Sequence, residues 1–377
     1  MRENNRLTGL LAVFLILSCS NTKNYYDYGS ENAGIYLTDT PAAAKPAPDT
    51  PDDEIITPAP AMVLYEGELL NIFFHTVIAW PEIAFTGKMK QTFLEWYVSA
   101  DEFRRILNEL YNDNYALINI GEFYEVNYIN GVKKVTAKKL LVPEGKKPMV
   151  ISIDDLCYYE HVRQNGSVHK LVIDENGEIA AWTDNAGRGE LSYDLDIITI
   201  MEDFIRQHPD FSVRGAKGII AVTGYEGLLG YKTEELDAPG YSKEVEGVTA
   251  VIKKLKELGW RFASHSWGHL NMPKVPMSWF TYDLKLWDRQ VRPILGDTDL
   301  YIYPFGAGVE AQEDKHKILL TLNYNLFFGV GSGFGHSECG GYIYIDRRNI
   351  DGFYFRIFKN RNDKLFDIDK VIDKRFR

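Results

Sequence analysis

The feature that most constrains the fold of this chain is a regular alternation of short apolar segments with amphipathic helical segments. Residues 69–77 predict a buried strand, and a helix follows that opens with the capping-box pattern Ser99–Glu102. Helices are also predicted over residues 196–207, 242–258, 277–295 and 315–322. Further strands are predicted over residues 115–120, 148–153, 218–223, 261–265, 300–303, 325–330 and 342–345.

Strands that alternate with helices favour a parallel sheet or barrel. About seven strands over roughly 300 residues fit one α/β domain, a distorted (β/α) barrel of about seven parallel strands, better than two domains. Residues 160–193 are polar and contain glycine, so we expect a long excursion from the barrel there. In such barrels the chemistry lies at the carboxyl ends of the strands, where this chain places three polar clusters.

The N-terminus has the pattern of a secretory signal peptide. Arg2 and Arg6 precede an apolar run, Leu10–Leu17, that is too short to span a bilayer. The Leu17-Ser18-Cys19 ending resembles a bacterial lipobox, which predicts a signal peptide over 1–18 and lipidation of Cys19. A plain signal peptide with a chance cysteine is the alternative.

The segment that follows is rich in proline, alanine, aspartate and threonine, which predicts a disordered tether over 19–61 and a catalytic domain over 62–377. We therefore expect a protein of the bacterial cell envelope that faces outside the cytoplasm. The net charge of −11 argues against a nucleic-acid partner and against electrostatic binding to anionic lipid. Membrane contact is expected only through the lipid on Cys19.

The first polar cluster is Ser152-Ile153-Asp154-Asp155, at the end of a predicted strand. Adjacent carboxylates are costly unless a cation or a proton offsets their repulsion, so one can bind a metal while the other acts as a base. An Asx turn that leaves the strand is the structural alternative.

The second cluster, His265-Ser266-Trp267-Gly268-His269, holds two of the eight histidines four residues apart. On a tight loop this spacing places both imidazoles on one side, and two imidazoles with one carboxylate leave a position open on a catalytic metal. Two unrelated surface histidines are the alternative.

The third cluster is Tyr303-Pro304-Phe305-Gly306. Proline and glycine favour an irregular turn that bares backbone amides, and such an amide can stabilise an oxyanion. A simple turn is the alternative.

Together these clusters, in this order, resemble the motifs of the polysaccharide deacetylase family, carbohydrate esterase family 4 with the NodB-homology domain. The family motifs read Thr-Phe-Asp-Asp, His-Ser/Thr-x-x-His and Arg-x-Pro-Tyr/Phe-Gly. The segment Phe74-His75-Thr76-Val77 is similar to the Tyr-His-x-Ile start of many members, so the resemblance covers about residues 62–351.

The resemblance implies a hydrolase that removes acetyl groups from an N-acetylated cell-surface polysaccharide, either peptidoglycan or an N-acetylglucosamine polymer. It implies that Asp155, His265 and His269 bind the metal and that Asp154 is the base. Zinc is the expected ion, with cobalt, nickel and iron as alternatives. The amide of Phe305 would help to hold the oxyanion. We expect Pro304, Trp267 and His75 to contact the substrate.

Departures from the family pattern concern the groups around the base and the acid. Ile302 stands where the third motif has its arginine, which predicts that Asp154 lacks an orienting partner. The late Leu-x-His motif, whose histidine protonates the leaving amine, is absent. His336 and His75 are the candidates for the acid, each with a structural role as the alternative.

Two rival functions remain open at this stage. The first is a catalytically weak, glycan-binding surface lipoprotein on the same fold, which the departures favour and the intact Asp154 disfavours. The second is a metal-dependent amidase or esterase that acts on another acyl substrate, with the excursion over 160–193 reshaping the groove.

Overall fold

The structure, a computed structural model, describes residues 60–377, and they belong to one compact unit. The predicted signal peptide, Cys19 and all but the last two residues of the predicted tether lie outside the described residues. Within residues 60–377, no helix combines the length and the apolar character that crossing a membrane requires.

Sixteen strands are present in residues 60–377. They are β1 (Met62–Leu64), β2 (Leu70–Phe74), β3 (Tyr115–Leu117), β4 (Tyr124–Ile129), β5 (Val132–Ala137), β6 (Leu141–Pro143), β7 (Lys147–Ile153), β8 (Lys170–Ile173), β9 (Ile179–Asn185), β10 (Arg188–Ser192), β11 (Ile219–Val222), β12 (Arg261–Ser264), β13 (Leu300–Ile302), β14 (Leu326–Val330), β15 (His336–Glu338) and β16 (Ile343–Asn349).

The same residues form eleven α-helices. They are α1 (Pro81–Ala84), α2 (Lys90–Trp96), α3 (Ala100–Asn112), α4 (Glu160–Arg163), α5 (Ile197–Gln207), α6 (Tyr241–Glu257), α7 (Met277–Leu286), α8 (Arg292–Leu295), α9 (Asp314–Thr321), α10 (Gly352–Phe358) and α11 (Ile368–Val371). A π-helical turn, Trp287–Val291, joins α7 to α8.

Seven parallel strands form a closed ring in the order β11-β12-β13-β14-β16-β2-β7. The ring closes where Ile219 and Ile220 of β11 pair with Ser152 and Ile153 of β7. The predicted distorted (β/α) barrel of seven parallel strands is confirmed. The predicted strand over 115–120 is not a ring member, since β3 only extends the sheet beside the start of β7. The seventh ring strand is β16, which runs four residues beyond the predicted end at 345.

The lumen of the barrel is apolar along most of its length. Alternate strand residues such as Val150, Ala263 and Ile345 share one buried cluster, whereas the intervening residues such as Ile151 and Phe262 pack in the cluster formed with the helices. This two-residue alternation is what a closed barrel imposes on its strands. The side-chain phase of a strand therefore decides which of its residues enter the lumen.

Two segments differ from a plain barrel. The predicted polar excursion over 160–193 contains α4 and a three-stranded antiparallel sheet, β8–β10. A hairpin, β4–β5, turns through Asn130 and Gly131, both at positive φ, as asparagine and glycine favour in a tight hairpin turn.

Candidate active site

Four polar side chains enter the barrel at the carboxyl ends of its strands. Ser152 and Asp154 continue the inward phase of Val150 on β7, while His265 follows Ala263 and Arg347 follows Ile345 in the same way. All four are buried. A polar layer thus lies on top of the apolar lumen, and strand alternation alone is enough to put it there.

The turns that follow β7, β12 and β13 have unusual backbone conformations. Asp155, Ser266, His269 and Phe305 have φ values of 58°, 58°, 51° and 60°, in the left-handed region that residues other than glycine rarely adopt. Such backbone persists only where surrounding contacts hold it, and it clusters at functional sites. All four residues belong to the polar clusters singled out in the sequence.

Asp155, His265 and His269 meet with the spacing of a metal-binding set. One ligand atom of each lies within 4.8 Å of the others. The Nε2 atom of His265 is 4.0 Å from Oδ1 of Asp155, and the Nε2 atom of His269 is 3.6 Å from Oδ2 of Asp155. A carboxylate and two imidazoles in this arrangement could hold a divalent cation and leave a further position open.

The protonation states of these groups suit cation binding. Burial alone would raise the pKa of Asp155, but His269, His265, His75 and a hydrogen bond from Tyr159 lower it to about 2. Burial lowers the pKa of His269 to about 4, against the opposing effect of Asp155. At neutral pH, Asp155 is therefore an anion and His269 a neutral imidazole, the forms in which each binds a metal.

Neighbouring groups orient the first two ligands. The Tyr159 hydroxyl donates to Oδ1 of Asp155 at 2.7 Å and contacts the Thr223 hydroxyl at 2.7 Å. Nδ1 of His265 donates to the carbonyl of Ile302 at 2.8 Å, which directs Nε2 at the site. Residues that hold ligands in this way set both their orientation and their basicity.

The loop that carries both histidines is fastened by Asp283, on α7. Its buried carboxylate accepts from the amide of Gly268 at 2.6 Å, from the amide of Trp267 at 3.0 Å and from the Ser266 hydroxyl at 3.4 Å. Burial raises the pKa of Asp283, while these three donors oppose the rise. The helix that follows β12 thereby sets the conformation of the histidine loop.

Asp154 has an orienting partner, contrary to the prediction from Ile302. The Arg347 guanidinium donates to both of its carboxylate oxygens, at 2.7 and 2.9 Å, and also to the Ser152 hydroxyl at 2.9 Å. Burial would raise the pKa of Asp154, but Arg347 and then His265 lower it, so the carboxylate is ionised and can accept a proton. The arginine comes from β16 instead of the turn after β13.

His75 follows β2 at the same end of the barrel. The amide of Asp154 donates to the carbonyl of Phe74, so the two strand ends are adjacent. Nδ1 of His75 donates to the carbonyl of Trp96 at 3.0 Å, and the Tyr97 ring lies 5.5 Å from the His75 ring. Because a carbonyl only accepts, the Nδ1 atom carries the proton and Nε2 is the atom that can exchange one.

The predicted oxyanion and substrate residues lie at the same end of the barrel. The exposed Phe305 ring is 4.4 Å from the ring of His269, whereas Pro304 is buried. Trp267 donates from its indole to Gln290 at 2.6 Å and packs on Gly224, where a Cβ would lie 2.3 Å from the indole Cδ1. The oxyanion role of the Phe305 amide and the substrate contacts of Pro304, Trp267 and His75 stay predictions.

Of two further side chains, His336 lies away from the site, whereas Cys157 lies beside it, where its amide donates to the carbonyl of Asp155 at 2.6 Å. His336 packs 5.0 Å from the Phe123 ring and borders a cavity with Tyr65 and Leu69, which precede β2, so it is at the other end of that strand from His75. Cys157 is buried and has a pKa raised to about 12 by burial, so its thiol is unreactive at neutral pH. Cys157 forms no disulfide.

Arg347, Tyr159 and Asp283 are site residues that the motif pattern did not identify. Of the three, only Arg347 could have been found from the sequence. It lies two residues after Ile345 and four after Ile343, so the alternation of the strand predicts a charged side chain that faces the lumen. Tyr159 and Asp283 left none, because their contacts depend on how a loop and a helix pack against the ring.

Comparisons with known proteins found likeness in structure only. The chain matches no family model and no curated protein. It is similar to the deacetylase PplD of Streptococcus pyogenes in complex with acetate, at 16% identity and a TM-score of 0.43, over 78% of this chain and 94% of that one.

Two further solved structures are similar at the same level. A polysaccharide deacetylase of Bacillus cereus shares 14% identity at a TM-score of 0.40, over 77% of this chain and 68% of that one. A de-N-acetylase of Aggregatibacter actinomycetemcomitans shares 15% identity at a TM-score of 0.38, over 76% and 96% of the two chains. Deacetylases are thus among the structures that this chain is similar to. The sequence identities and TM-scores are too low to assign a function to the chain.

Proposed function

We propose that this protein is a metal-dependent hydrolase that removes acetyl groups from the amines of an N-acetylated polysaccharide. The observation that carries the proposal is the cluster of Asp155, His265 and His269 beside an ionised, arginine-bound Asp154. Metal-assisted hydrolysis of an amide needs ligands that hold the metal and a nearby base that accepts a proton from the attacking water.

The donor set fits a divalent cation such as zinc. The three ligand atoms converge, the carboxylate is ionised, and the His269 imidazole is neutral. A bound cation of this kind supplies Lewis acidity, which lowers the pKa of water and polarises an acetamide carbonyl. Cobalt, nickel and iron accept the same ligands, so the donor set does not select among them.

Asp154 is the proposed base. Its carboxylate is held by two hydrogen bonds from Arg347 and lies 4.0 Å from Nε2 of His265, so it adjoins the metal donors without belonging to the set. Its lowered pKa keeps it ionised until it takes a proton from the attacking water.

His75 is the proposed acid, and the Phe305 amide the proposed oxyanion donor. The hydrogen bond from Nδ1 of His75 to the Trp96 carbonyl presents Nε2 as the proton-exchanging atom, which can protonate the leaving amine. The Phe305 backbone follows β13 in a left-handed turn next to His269. Pro304 and Trp267 are proposed to border the substrate.

The proposed substrate is peptidoglycan or an N-acetylglucosamine polymer at the cell envelope, reached by a protein anchored through lipid on Cys19. The alternative of a catalytically weak glycan-binding protein relied on the missing arginine of the third motif and on the missing late histidine. Arg347 supplies a guanidinium to Asp154 from another strand, so the first of these two supports is lost.

Acetate release from a pentameric N-acetylglucosamine oligomer, from peptidoglycan and from acetylated xylan tests this proposal. We expect release from an amide-linked substrate, and we expect chelation or Asp154→Asn to abolish it. Asp346→Asn is the matched control, because Asp346 adjoins Arg347 with the opposite strand phase. Metal bound stoichiometrically without acetate release from these substrates would favour another acyl substrate or a binding role. A protein that binds no metal would overturn the site assignment.

A second variant tests the base and its partner. Arg347→Lys keeps a positive charge but loses the bidentate geometry, and it should lower kcat about 100-fold with metal stoichiometry unchanged. An unchanged kcat would contradict the role of Arg347 in orienting Asp154.

A further inference from the structure

The Leu94–Tyr97 turn, at the carboxyl end of α2, determines where the His75 imidazole points. This turn supplies the Trp96 carbonyl that accepts from Nδ1 of His75 at 3.0 Å, and the Tyr97 ring that lies 5.5 Å from the imidazole. A displacement of the turn would therefore displace or rotate the ring.

Arg377 fastens this turn, although it lies 280 residues away from Tyr97 in the chain. Its guanidinium donates to the carbonyl of Leu94 at 2.6 Å and to the carbonyl of Tyr97 at 2.6 Å. The two accepting carbonyls flank Trp96 on either side. Arg377 thus holds the backbone on both sides of the group that binds His75.

The other side of the guanidinium is bound to Glu102. Nε donates to Oε1 at 2.6 Å and Nη2 to Oε2 at 3.0 Å, and the Glu102 carboxylate also accepts from the amides of Ser99 and Asp373. Glu102 is fully buried, and the Arg377 side chain is 8% exposed. The ion pair therefore anchors the turn to the first residues of α3.

Two aromatic rings complete the enclosure of Arg377. The guanidinium carbon lies 4.9 Å from the centroid of the Phe85 ring and 5.1 Å from that of Phe355. A planar cation that is stacked on rings and hydrogen-bonded along its edges has little freedom to move. These contacts hold Arg377 beside the turn that binds His75.

We propose that Arg377 is a positioning residue, which holds the Leu94–Tyr97 turn so that His75 keeps its orientation and its Nδ1-protonated tautomer. The effect on catalysis rests on the proposed function, in which His75 protonates the leaving amine. The effect of Arg377 on the orientation and tautomer of the imidazole does not depend on that function.

A double-mutant cycle in the full-length, metal-loaded protein tests the proposal. Arg377→Met should lower kcat about tenfold to 100-fold with KM and metal stoichiometry unchanged, since small misplacements of a catalytic group cost that much. In a His75→Gln background the same change should have an effect of about twofold or less, because the group it positions is gone. Equal losses in both backgrounds, or a lower Tm with kcat unchanged, would overturn the proposal.

Arg375→Met is the matched control. Arg375 lies two residues earlier, its side chain is 65% exposed, and it pairs with Asp373 without bonding to the Leu94–Tyr97 turn. It should leave kcat unchanged. If Arg377→Met does not fold, Arg377→Lys, which keeps the charge but cannot reach all four acceptors, replaces it in the cycle.

A spectroscopic readout keeps this proposal separate from the proposed function. In ¹⁵N-histidine spectra, with the His75 signals assigned by their loss in His75→Gln, the wild-type ring should be protonated at Nδ1. Arg377→Met should give a mixture of tautomers, and Arg375→Met should not. A wild-type protein that shows this pattern but releases no acetate would support the positioning role of Arg377 and contradict the deacetylase function. An unaltered tautomer in Arg377→Met would contradict the positioning role.

Discussion

At the scale of single residues, burial and neighbouring charge decide what each titratable group in the site can do. Asp154 and Asp155 are adjacent in sequence but have different partners: Arg347 binds the first, while Tyr159 and the two loop histidines surround the second. Two neighbouring carboxylates thereby become suited to different tasks, one as a base and the other as a metal ligand.

Tyr159→Phe should weaken metal affinity about tenfold to 100-fold, because the ring is kept while Asp155 loses the donor that orients it. Competition with a chromogenic chelator measures the affinity. Tyr158→Phe is the matched control, since the Tyr158 hydroxyl donates to Asp196 at 2.8 Å, away from the metal donors. A Tyr159→Phe protein with wild-type affinity would contradict this account of the ligand.

The metal-free protein should lose stability as the pH falls from about 6.5 toward about 4. The pKa of His269 is lowered by burial from 6.5 to about 4, so over this interval the unfolded state binds a proton that the folded state rejects. Urea unfolding at pH 7 and pH 5 measures the loss. In His269→Gln the loss should be smaller, and an identical pH dependence in the two proteins would refute this linkage.

At the scale of elements, local signals predicted helix ends well and irregular segments poorly. Ser99 and Glu102 form the predicted capping box at the start of α3, and Gly259, at a φ of 106°, follows the end of α6. These features depend on a few neighbouring residues. The sheet β8–β10, whose hairpins lie within residues 170–192, and the π-helical turn Trp287–Val291 were not predicted.

Asp283→Ala should release the histidine loop from α7. Two backbone amides, those of Trp267 and Gly268, would lose their acceptor, which should lower the free energy of unfolding by about 2 kcal/mol and weaken metal binding. Denaturant unfolding and metal titration measure the two effects. Asp288→Ala, at an exposed position about one turn further along, should change neither, and an Asp283→Ala protein with wild-type metal affinity would exclude a role for α7 in holding the loop.

At the scale of the whole molecule, closure of the ring creates both the core and the site. Six of the seven ring strands contribute apolar side chains to one cluster in the lumen, and the polar side chains that follow in the same phase form its upper layer. The same inward-facing strand positions therefore serve stability, through apolar side chains in the lumen, and the proposed chemistry, through polar side chains at the carboxyl ends of the strands.

Phe328→Ala, in the lumen, should lower the free energy of unfolding by about 3–5 kcal/mol, because a fully buried ring is replaced by a cavity that the ring of strands cannot collapse to fill. Phe305→Ala is the matched control, since its ring is 53% exposed and the change should stay within about 0.5 kcal/mol. Urea unfolding compares the two. Similar losses at both positions would contradict the assignment of Phe328 to the lumen.

The sequence by itself determined the alternation of strands and helices, the class of barrel, and the strand ends at which Asp154, Asp155, His265 and His269 lie. Each of these depends on periodicity or spacing within a few residues. Only the tertiary structure decided that Arg347 pairs with Asp154, 193 residues away, and that Arg377 fastens the turn that binds His75. The strand β2 lies between β7 and β16 in the ring, so Arg347 passes the Phe73 ring of β2 to reach Asp154. Such a contact depends on ring closure and strand register, which no local pattern encodes.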